Sequence, residues 1–312
     1  MQQESFISVD WGTSNLRIRY VNVPSLEIIE EVVYPKGIKF VHLDCIEQDA
    51  DRKNFFLTFL ASQLQKFKTT IPSSLEIVIS GMASSSIGLQ ELPYANLPFD
   101  ATGKTLYKER IINTVFENPI TLISGVKAVA DVMRGEEIEI VGLLAAEDTK
   151  TDAIFVLPGT HSKHIYCEKG KVYNFATFMT GELFEVIRKH TILRNSLEKS
   201  PMDATAIKAF DKGVLAAVDG VSILNELFKI RAFDLFEIQS AAQNFYFLSG
   251  LLIGEELKNL RGKTAIKLCA GGDLFELYNL AIEKLGLQEV TSIVDSQTVE
   301  QSVVKGQWRV MH

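Results

Sequence analysis

Two short apolar strands in this chain each run into a Gly-Thr turn and then into a second β-like segment. The first turn holds Gly12-Thr13, and the second holds Gly159-Thr160, about 147 residues further along. The residues around the two turns differ, so the similarity is one of strand and turn order rather than of identity. Such a recurrence indicates an internal duplication of fold. We therefore predict two α/β half-molecules.

The first turn has the chemistry of a phosphate-binding site. Gly12 lets the backbone approach an anion closely, and the turn N–H groups, with the hydroxyls of Thr13 and Ser14, supply donors. Asn15 completes the turn, and Asp10 at the strand end can hold a magnesium ion through its waters. The alternative is an ordinary polar hairpin, in which these residue types are common.

The second turn repeats this chemistry and adds cations. Gly159 permits close approach of an anion, and the hydroxyls of Thr160 and Ser162 can donate to phosphate oxygens. Lys163 or His161 could neutralise the charge that develops on a transferring phosphoryl group. The alternative is a Pro-Gly turn with ordinary polar residues around it.

A third glycine turn lies nearer the end of the chain, where a predicted strand leads into Gly271-Gly272 and then into a helix. Bare backbone at successive glycines leaves room for a flat base, so the turn suits an adenine pocket. The alternative is a plain strand-to-helix turn. The order of the three turns favours a nucleotide site.

Two further segments suit an acceptor substrate. Phosphorylation of an alcohol needs a carboxylate that accepts the hydroxyl proton, and four carboxylates lie near Gly135: Asp131, Glu136, Glu137 and Glu139. Arg134 suits a substrate carboxylate because its fork binds carboxylates bidentately. Residues 80–88 are small and leave room for a polar substrate. The alternatives are a solvated helix face for the acidic run and a solvent loop for residues 80–88.

Composition narrows the class of protein. The chain has 312 residues and a net charge of −7, which argues against nucleic acid as a main partner. Its three cysteines are far apart and form no zinc pattern, as expected in a reducing cytoplasm. The N-terminus does not resemble a signal peptide, and no apolar stretch is long enough for a membrane. We expect a cytoplasmic protein that binds no membrane; the oligomeric state stays open, a homodimer included.

Hydrophobic periodicity also predicts the main elements. The predicted elements are an antiparallel meander over residues 6–34, helices over 54–68 and 126–147 (the latter interrupted near Gly135), strands over 75–80 and 153–157, mostly helical structure over 181–260, a strand over 266–270, a helix through 285, a strand over 289–294 and a terminal helix from 296.

Five sequence blocks, in this order, resemble the 2-dehydro-3-deoxygalactonokinase family of the actin-like ATPase and sugar-kinase superfamily. They are residues 10–17 (DWGTSNLR), 133–137 (MRGEE), 157–163 (LPGTHSK), 178–183 (FMTGEL) and 247–254 (FLSGLLIG). The resemblance runs over nearly the whole chain. It implies an α/β fold of two actin-like (ribonuclease H-like) domains with a nucleotide cleft between them. It also implies a carbohydrate kinase that uses ATP and Mg²⁺ to phosphorylate the 6-hydroxyl of 2-dehydro-3-deoxy-D-galactonate in galactonate catabolism.

The resemblance also suggests roles for single residues. In sugar kinases the catalytic aspartate follows a glycine at a helix start; here that residue is Glu136, a glutamate, with Glu137 as the second choice. Leu157 stands where many relatives have an acidic residue, so magnesium depends mainly on Asp10. Ser84-Ser85 and Gly88-Leu89 stand where the family usually has Gly-Ser and Gly-Trp, which affects the exact substrate more than the reaction.

The predicted site comprises three sets besides the base and the metal ligand. ATP contacts are assigned to Gly12, Thr13, Ser14, Asn15, Gly159, Thr160, His161, Ser162, Lys163, Gly271 and Gly272, and substrate contacts to Trp11, Met82, Ser84, Ser85 and Arg134. We predict an N-terminal domain over 1–128, a C-terminal domain over 129–295, and a terminal helix over 296–312 that packs back toward the first domain. Two alternatives remain: a kinase for another 2-keto-3-deoxy sugar acid, and a non-catalytic nucleotide-dependent sensor.

Overall fold

The computed structural model describes residues 5–112, 115–146, 152–263 and 265–312. Within them the chain forms two compact units. The first takes the described residues of Met1–Thr151, Cys167–Phe175 and Gln297–His312, and the second those of Asp152–Tyr166 and Ala176–Ser296. Every helix in these ranges is too short or too polar to cross a membrane.

The strands of the described ranges, in chain order, are β1 (Ser5–Trp11), β2 (Leu16–Asn22), β3 (Glu27–Tyr34), β4 (Ile77–Gly81), β5 (Ala95–Asn96), β6 (Phe99–Asp100), β7 (Lys108–Ile111), β8 (Ile120–Ile123), β9 (Val126–Lys127), β10 (Val132–Met133), β11 (Ala153–Leu157), β12 (Ser162–Glu168), β13 (Lys171–Phe178), β14 (Ile266–Leu268) and β15 (Thr291–Ile293).

The α-helices of the same ranges are α1 (Ile38–Glu47), α2 (Arg52–Leu64), α3 (Glu136–Ala146), α4 (Thr180–His190), α5 (Ala204–Val218), α6 (Ile223–Leu235), α7 (Ala241–Leu257), α8 (Gly272–Lys284) and α9 (Ser296–Met311). Short 3₁₀ helices lie at Met82–Ser84, Arg194–Ser196, Lys258–Leu260 and Gln288–Val290.

A six-stranded sheet in the order β3-β2-β1-β4-β8-β7 forms the frame of the first unit. The strands β1, β2 and β3 make an antiparallel meander, whereas β4 lies parallel to β1 and β8 parallel to β4. Every residue of β4 and β8 is buried, as expected for central parallel strands covered on both faces. The core of this unit also takes Phe56, Leu57 and Leu60 from α2.

The second unit contains the parallel strands β11, β14 and β15, with β14 between the other two. Each glycine turn that the sequence singles out in this part of the chain follows one of these strands: β11 leads into Gly159-Thr160 and β14 toward Gly271-Gly272. The strand order therefore places both turns at the carboxyl ends of parallel strands, where ligands bind in open α/β sheets.

Two glycines allow α5 and α7 to touch backbone to backbone in the second unit. A Cβ at Gly213 would lie 2.2 Å from the Phe247 carbonyl oxygen, and one at Gly250 would lie 2.1 Å from that of Phe210. Because a Cβ cannot approach so closely, only glycine permits this packing. The helix α7 is buried along most of its length, which carries Glu256 near its end into the interior.

Most predicted elements are confirmed, including the meander, the strand over 153–157 and the terminal helix. One prediction is wrong. The helix expected over 126–147 begins only at Glu136, because β9 and β10 pair with each other before it. The sequence analysis also contained no helix over Ile38–Glu47.

The compact units divide the chain elsewhere than the predicted boundary at residue 128. The helix α3 lies in the first unit, and so do the segments Cys167–Phe175 and Gln297–His312. The cause is packing between α3 and α9: a Cβ at Gly142 would lie 1.8 Å from the Ser302 carbonyl oxygen. Two helices in such contact belong to one body.

Candidate active site

The first Gly-Thr turn connects β1 to β2, and its carbonyl oxygens accept hydrogen bonds from the start of α1. The N–H groups of Gly37, Ile38 and Lys39 donate to the carbonyl oxygens of Ser14, Gly12 and Thr13, at 2.8, 3.0 and 3.3 Å. Among the described residues no hydrogen bond uses the N–H of Thr13 or Ser14, and both side chains are exposed. The turn therefore presents donors to an anion, as a phosphate-binding nest does.

Gly37 makes this arrangement sterically possible. A Cβ there would lie 2.3 Å from the Gly12 carbonyl oxygen, so a larger residue would push the start of α1 away from the turn. The sequence analysis missed Gly37. Its position just before a run of apolar residues was the available signal, but α1 was not recognised.

Asp10 lies at the end of β1, directly opposite Arg17 in the hairpin register. Its carboxylate Oδ2 is 3.8 Å from Arg17 Nη1, and its side chain is 23% exposed. Burial raises the pKa of the Asp10 carboxyl against the lowering effect of the Arg19 and Arg17 charges, and Glu136 raises it further. Arg17 was quoted in the motif but given no role; the hairpin register was the signal that could have placed it.

The carboxylates of α3 differ in exposure. Glu136 is partly exposed, and its Oε2 accepts the Arg134 N–H at 3.1 Å. Glu137 is fully buried, and its Oε2 accepts the Gly135 N–H at 2.7 Å. Burial, together with the charge of Glu136, raises the pKa of Glu137 to about 8. A carboxyl with a pKa of about 8 is mostly protonated at neutral pH, so Glu137 is poorly suited to accept a proton there.

Glu139, one helical turn beyond Glu136, is a third carboxylate near this position. Burial raises its pKa to about 8, and the charges of Glu136 and Asp10 add to the rise. These effects place the carboxylates of Asp10, Glu136 and Glu139 in one electrostatic neighbourhood. The sequence analysis counted Glu139 among the four carboxylates near Gly135 but gave it no role in the site; its spacing of three residues from Glu136 on a helix was the signal that could have placed it.

Arg134 makes several contacts within the first unit, and its predicted substrate contact stays a prediction. Its Nη1 donates to the carbonyl oxygen of Ser84 and, at 2.7 Å, to the Ser84 hydroxyl, while Nη2 donates to the Leu92 carbonyl oxygen at 3.3 Å. Its guanidinium carbon lies 4.0 Å from the centre of the Tyr94 ring. Arg134 therefore holds the loop over residues 84–94.

The hydroxyls of Ser84 and Ser85, which were predicted to contact the substrate, bond within the loop. Ser84 is fully buried, and its hydroxyl donates to the Gly81 carbonyl oxygen at 3.2 Å. The Ser85 hydroxyl donates to the Met82 carbonyl oxygen at 2.7 Å, and the residue is buried. Both hydroxyls serve the fold of the loop because they bond to the carbonyl groups of the preceding residues. Met82 is partly buried against the core, and its substrate contact stays a prediction.

Trp11 is a core residue rather than a substrate contact. It is fully buried, with ring centroids 5.5 Å from Phe56 and 5.9 Å from Phe59. Alternation along β1 is the physical reason: Asp10 and Trp11 point to opposite faces of the strand, so the side chain after an accessible carboxylate enters the core.

The second turn presents Thr160 and His161 at the surface. His161 Nε2 lies 2.6 Å from Glu182 Oε2, and the Glu182 N–H donates to the Thr160 carbonyl oxygen at 3.0 Å. A Cβ at Gly181 would lie 2.6 Å from the Gly159 carbonyl oxygen. The start of α4 thus packs on the second turn through a glycine, as the start of α1 does on the first.

Two predicted phosphate contacts of this turn point inward instead. Ser162 is fully buried; it accepts the Gly159 N–H at 3.2 Å and lies 2.9 Å from the Tyr278 hydroxyl. Lys163 is 3% exposed, and its ammonium donates to the His161 carbonyl oxygen at 3.3 Å. The hydrogen bond from the Gly159 N–H, which closes the turn, explains the position of the Ser162 hydroxyl.

The third turn is open. Gly271 and Gly272 are exposed, and a Cβ on either would meet no atom within 4 Å. Gly272 has a φ of +59° and begins α8. The turn leaves bare backbone at the surface, as the adenine prediction requires.

No group of three or more His, Cys, Asp or Glu side chains able to hold a metal lies among the described residues. Asp10 nevertheless fits the way proteins hold Mg²⁺, through one or two carboxylates, waters and substrate phosphates. Burial is the main cause of the raised pKa values of Asp10 and Glu139, and the charge of neighbouring carboxylates adds to both; a divalent cation would offset that negative charge.

A family model described as 2-keto-3-deoxy-galactonokinase matches residues 10–310. The chain belongs to the 2-keto-3-deoxy-galactonokinase family. The carbohydrate-kinase assignment is thereby confirmed, and with it the use of ATP and the predicted α/β class. The matched range contains every residue of the predicted site.

Named proteins of this family resemble the chain over most of its length. The protein of Rhizobium meliloti (strain 1021) named Probable 2-dehydro-3-deoxygalactonokinase DgoK1 is 31% identical over 291 residues, covering 90% of each chain. The 2-dehydro-3-deoxygalactonokinase of Escherichia coli (strain K12) is 30% identical over 304 residues, covering 92% of each. The crystal structure of a candidate 2-dehydro-3-deoxygalactonokinase from Sinorhizobium meliloti superposes with a TM-score of 0.84 at 29% identity, covering 98% of this chain and 95% of that one.

Proposed function

We propose that this galactonokinase-family chain transfers the γ-phosphoryl group of ATP to the 6-hydroxyl of 2-dehydro-3-deoxy-D-galactonate. The observation that carries the proposal is the first turn. Its carbonyl groups are bonded to residues 37–39, and the N–H groups of Thr13 and Ser14 are left to an anion. A carboxylate, Asp10, stands at the start of the same turn.

Glu136 is the proposed base. The sugar hydroxyl gives its proton to the Glu136 carboxylate while its oxygen bonds to the γ-phosphorus of ATP. The bond from that phosphorus to the β,γ-bridging oxygen breaks, and ADP leaves. Glu137 is the weaker choice because it is fully buried and its raised pKa of about 8 keeps it protonated at neutral pH.

Asp10 would hold Mg²⁺. The carboxylate of Glu139 interacts electrostatically with Asp10 and would also be attracted to the bound cation. A bound Mg²⁺ neutralises negative charge on the phosphates and on the phosphoryl group in transfer. The N–H groups of Thr13 and Ser14 bind phosphate oxygens, and Thr160 of the second turn does the same. Gly271-Gly272 receives the adenine. The three cysteines are buried and none forms a disulfide among the described residues, which supports a reducing cytoplasm as the place of action.

A coupled assay of ADP release on a panel of 2-keto-3-deoxy sugar acids tests the proposal. We expect substrate-dependent ADP release, fastest with the galactonate-derived acid. Glu136→Gln should lower kcat by about 10²- to 10⁴-fold, and Asp10→Asn should raise the Mg²⁺ concentration needed. The exposed Glu91→Gln is the matched control and should behave as the natural sequence does.

Three outcomes would contradict the proposal or a part of it. ATP binding with no ADP release for any acid would indicate a nucleotide-dependent sensor. Faster turnover of the gluconate-derived epimer would keep the kinase but change its substrate. Full activity in Glu136→Gln would remove that residue from its role.

A further inference from the structure

A carboxylate in the interior of the second unit accepts hydrogen bonds from three different elements. Glu256 on α7 is 1% exposed. Its Oε2 accepts the hydroxyl of Tyr278 on α8 at 2.6 Å and that of Thr180 at the start of α4. Its Oε1 lies 3.1 Å from Nε2 of His164 on β12. A buried carboxylate with this many donors is firmly fixed.

The bond to Tyr278 extends to the second Gly-Thr turn. The phenol has one hydrogen, which it gives to Glu256, so the Ser162 hydroxyl donates to Tyr278 over 2.9 Å. Ser162 in turn accepts the Gly159 N–H at 3.2 Å. Burial and the neighbouring Glu256 raise the pKa of Tyr278 well above its usual value, so the phenol keeps its hydrogen. The chain of bonds runs from the turn to the carboxylate in one direction.

Hydrogen bonds connect Glu256 to the turn through Tyr278 and Ser162, and to the start of α4 through Thr180. Ser162 closes the turn, and Thr180 begins the helix whose next residue, Gly181, packs on the Gly159 carbonyl oxygen. Displacement of this carboxylate would therefore disturb both the turn and the start of α4. The exposed face of the turn, with Thr160, holds the proposed phosphate donors.

We propose that Glu256 is a positioning residue for ATP: through Tyr278 and Ser162, and through Thr180, it sets the geometry of the second phosphate-binding turn. The inference rests on the proposed function. A buried charge contributes little stability over an apolar replacement, so fold stability alone does not explain a carboxylate at this position.

Glu256→Gln tests the inference, with Glu226→Gln as its control. Glu226 is also buried in the second unit, but it pairs with Lys229 on α6. The amide that replaces the Glu256 carboxylate would direct its own N–H groups at one of the three existing donors. Because hydrogen bonds to a charged group contribute about 1.5–3 kcal/mol, we expect the KM for ATP to rise about tenfold or more. The KM for the sugar acid should change less than about twofold, since the bonds of Glu256 described above all stay within the second unit.

Tyr278→Phe provides a second variant that keeps the ring and removes the hydroxyl. It should raise the KM for ATP in the same direction, and the double variant should fall short of the product of the single effects because both act through one chain of bonds. The affinity for a non-hydrolysable ATP analogue, measured by calorimetry without sugar acid, should fall in each variant by a factor similar to the rise in its KM for ATP. If Glu256→Gln does not fold, Tyr278→Phe and this binding measurement decide the question.

Equal effects of Glu256→Gln and Glu226→Gln on the KM for ATP would overturn the inference, as would equal rises in both KM values. These outcomes are distinct from failure of the proposed function, in which the natural sequence itself releases no ADP with any sugar acid. In that case the binding of the ATP analogue still tests Glu256.

Discussion

At the scale of single residues, exposure decides what each carboxylate of α3 can do. Glu136 is partly exposed at the start of the helix, where the helix dipole favours a negative charge. Glu137, its neighbour, is fully buried with a raised pKa. Adjacent residues of one type therefore differ by environment alone, and the proposed proton acceptor is the more exposed of the two.

The pH dependence of stability should reveal Glu137. Its pKa lies near 4.5 in the unfolded chain and about 8 in the folded one, so the folded state binds the proton more tightly between these values. The free energy of unfolding therefore falls as pH rises through this window. Glu137→Gln has no proton to lose, and its Tm relative to the natural sequence should rise by about 5 °C or more from pH 4.5 to pH 8.

Thermal unfolding followed by circular dichroism at several pH values measures this difference. Glu91→Gln, at an exposed position, serves as the control and should show a constant offset. A constant Tm difference for Glu137→Gln across the window would contradict the assignment of Glu137 as a buried, proton-binding group.

Trp11 offers a second residue-scale prediction. Because its ring packs on Phe56 and Phe59, Trp11→Phe should lower the free energy of unfolding by about 1–2 kcal/mol. The KM for the sugar acid should change less than about twofold. Chemical denaturation and steady-state kinetics on the same preparation measure both. A large rise in that KM with unchanged stability would restore Trp11 to the substrate site.

Prediction from sequence was good for turn backbones and poor for the direction of side chains. Gly12, Thr13 and Thr160 lie in surface turns as expected. Ser84 and Ser162 were chosen for their hydroxyls, but those hydroxyls bond to nearby groups of the fold. A hydroxyl suits a phosphate and a backbone group equally, so residue type alone cannot distinguish the two uses.

At the scale of elements, the internal duplication includes more than strand and turn. Each Gly-Thr turn has the start of a helix packed on it through a glycine, Gly37 for α1 and Gly181 for α4. The two helices begin at different distances along the chain from their turns, so no fixed spacing reveals the correspondence. The correspondence is visible in the structure because each contact between turn and helix brings two backbones so close that only glycine fits.

Gly181→Ala tests this packing. The added Cβ would lie 2.6 Å from the Gly159 carbonyl oxygen, so α4 must move away from the second turn. We expect the KM for ATP to rise about tenfold and the free energy of unfolding to fall by about 1–3 kcal/mol. Steady-state kinetics and thermal unfolding measure the two effects.

Ser222→Ala is a fitting control because Ser222 also precedes a helix but makes no side-chain cap bond. It should leave the KM for ATP unchanged. An unchanged KM in Gly181→Ala as well would show that the turn tolerates displacement of α4.

At the scale of the whole molecule, the first unit is assembled from separate parts of the chain. Its last part, α9, packs on α3 through Gly306, where a Cβ would lie 1.9 Å from the Ile138 carbonyl oxygen. The second unit is contained within residues 152–296. A sequence read in order suggests consecutive domains, and the predicted boundary at residue 128 follows that order. The helix α9 returns to the first unit because it packs on α3, and no local sequence pattern shows this contact.

Separate expression of fragments should show this asymmetry. Residues 152–296 hold both apolar clusters of the second unit and should unfold cooperatively. Residues 1–151 keep their main core but lack α9, so they should melt at a lower temperature than the full chain and bind a hydrophobic dye through uncovered apolar surface. A dye-free fragment 1–151 that melts with the full chain would contradict this division.

The side chain of Gln307 gives the discontinuity a consequence for protein synthesis. Its Nε2 donates to the Val9 carbonyl oxygen and the Ser80 hydroxyl, both at 2.9 Å, and the first of these partners is 298 residues away. Val9 directly precedes Asp10, so the residue before the proposed metal ligand gains this hydrogen bond only after residue 307 has been synthesised. We expect chains that end before α9 not to bind an ATP analogue. Binding measured on ribosome-arrested chains with and without α9 tests this expectation. The protein would then gain its ability to bind ATP only after α9 has been synthesised.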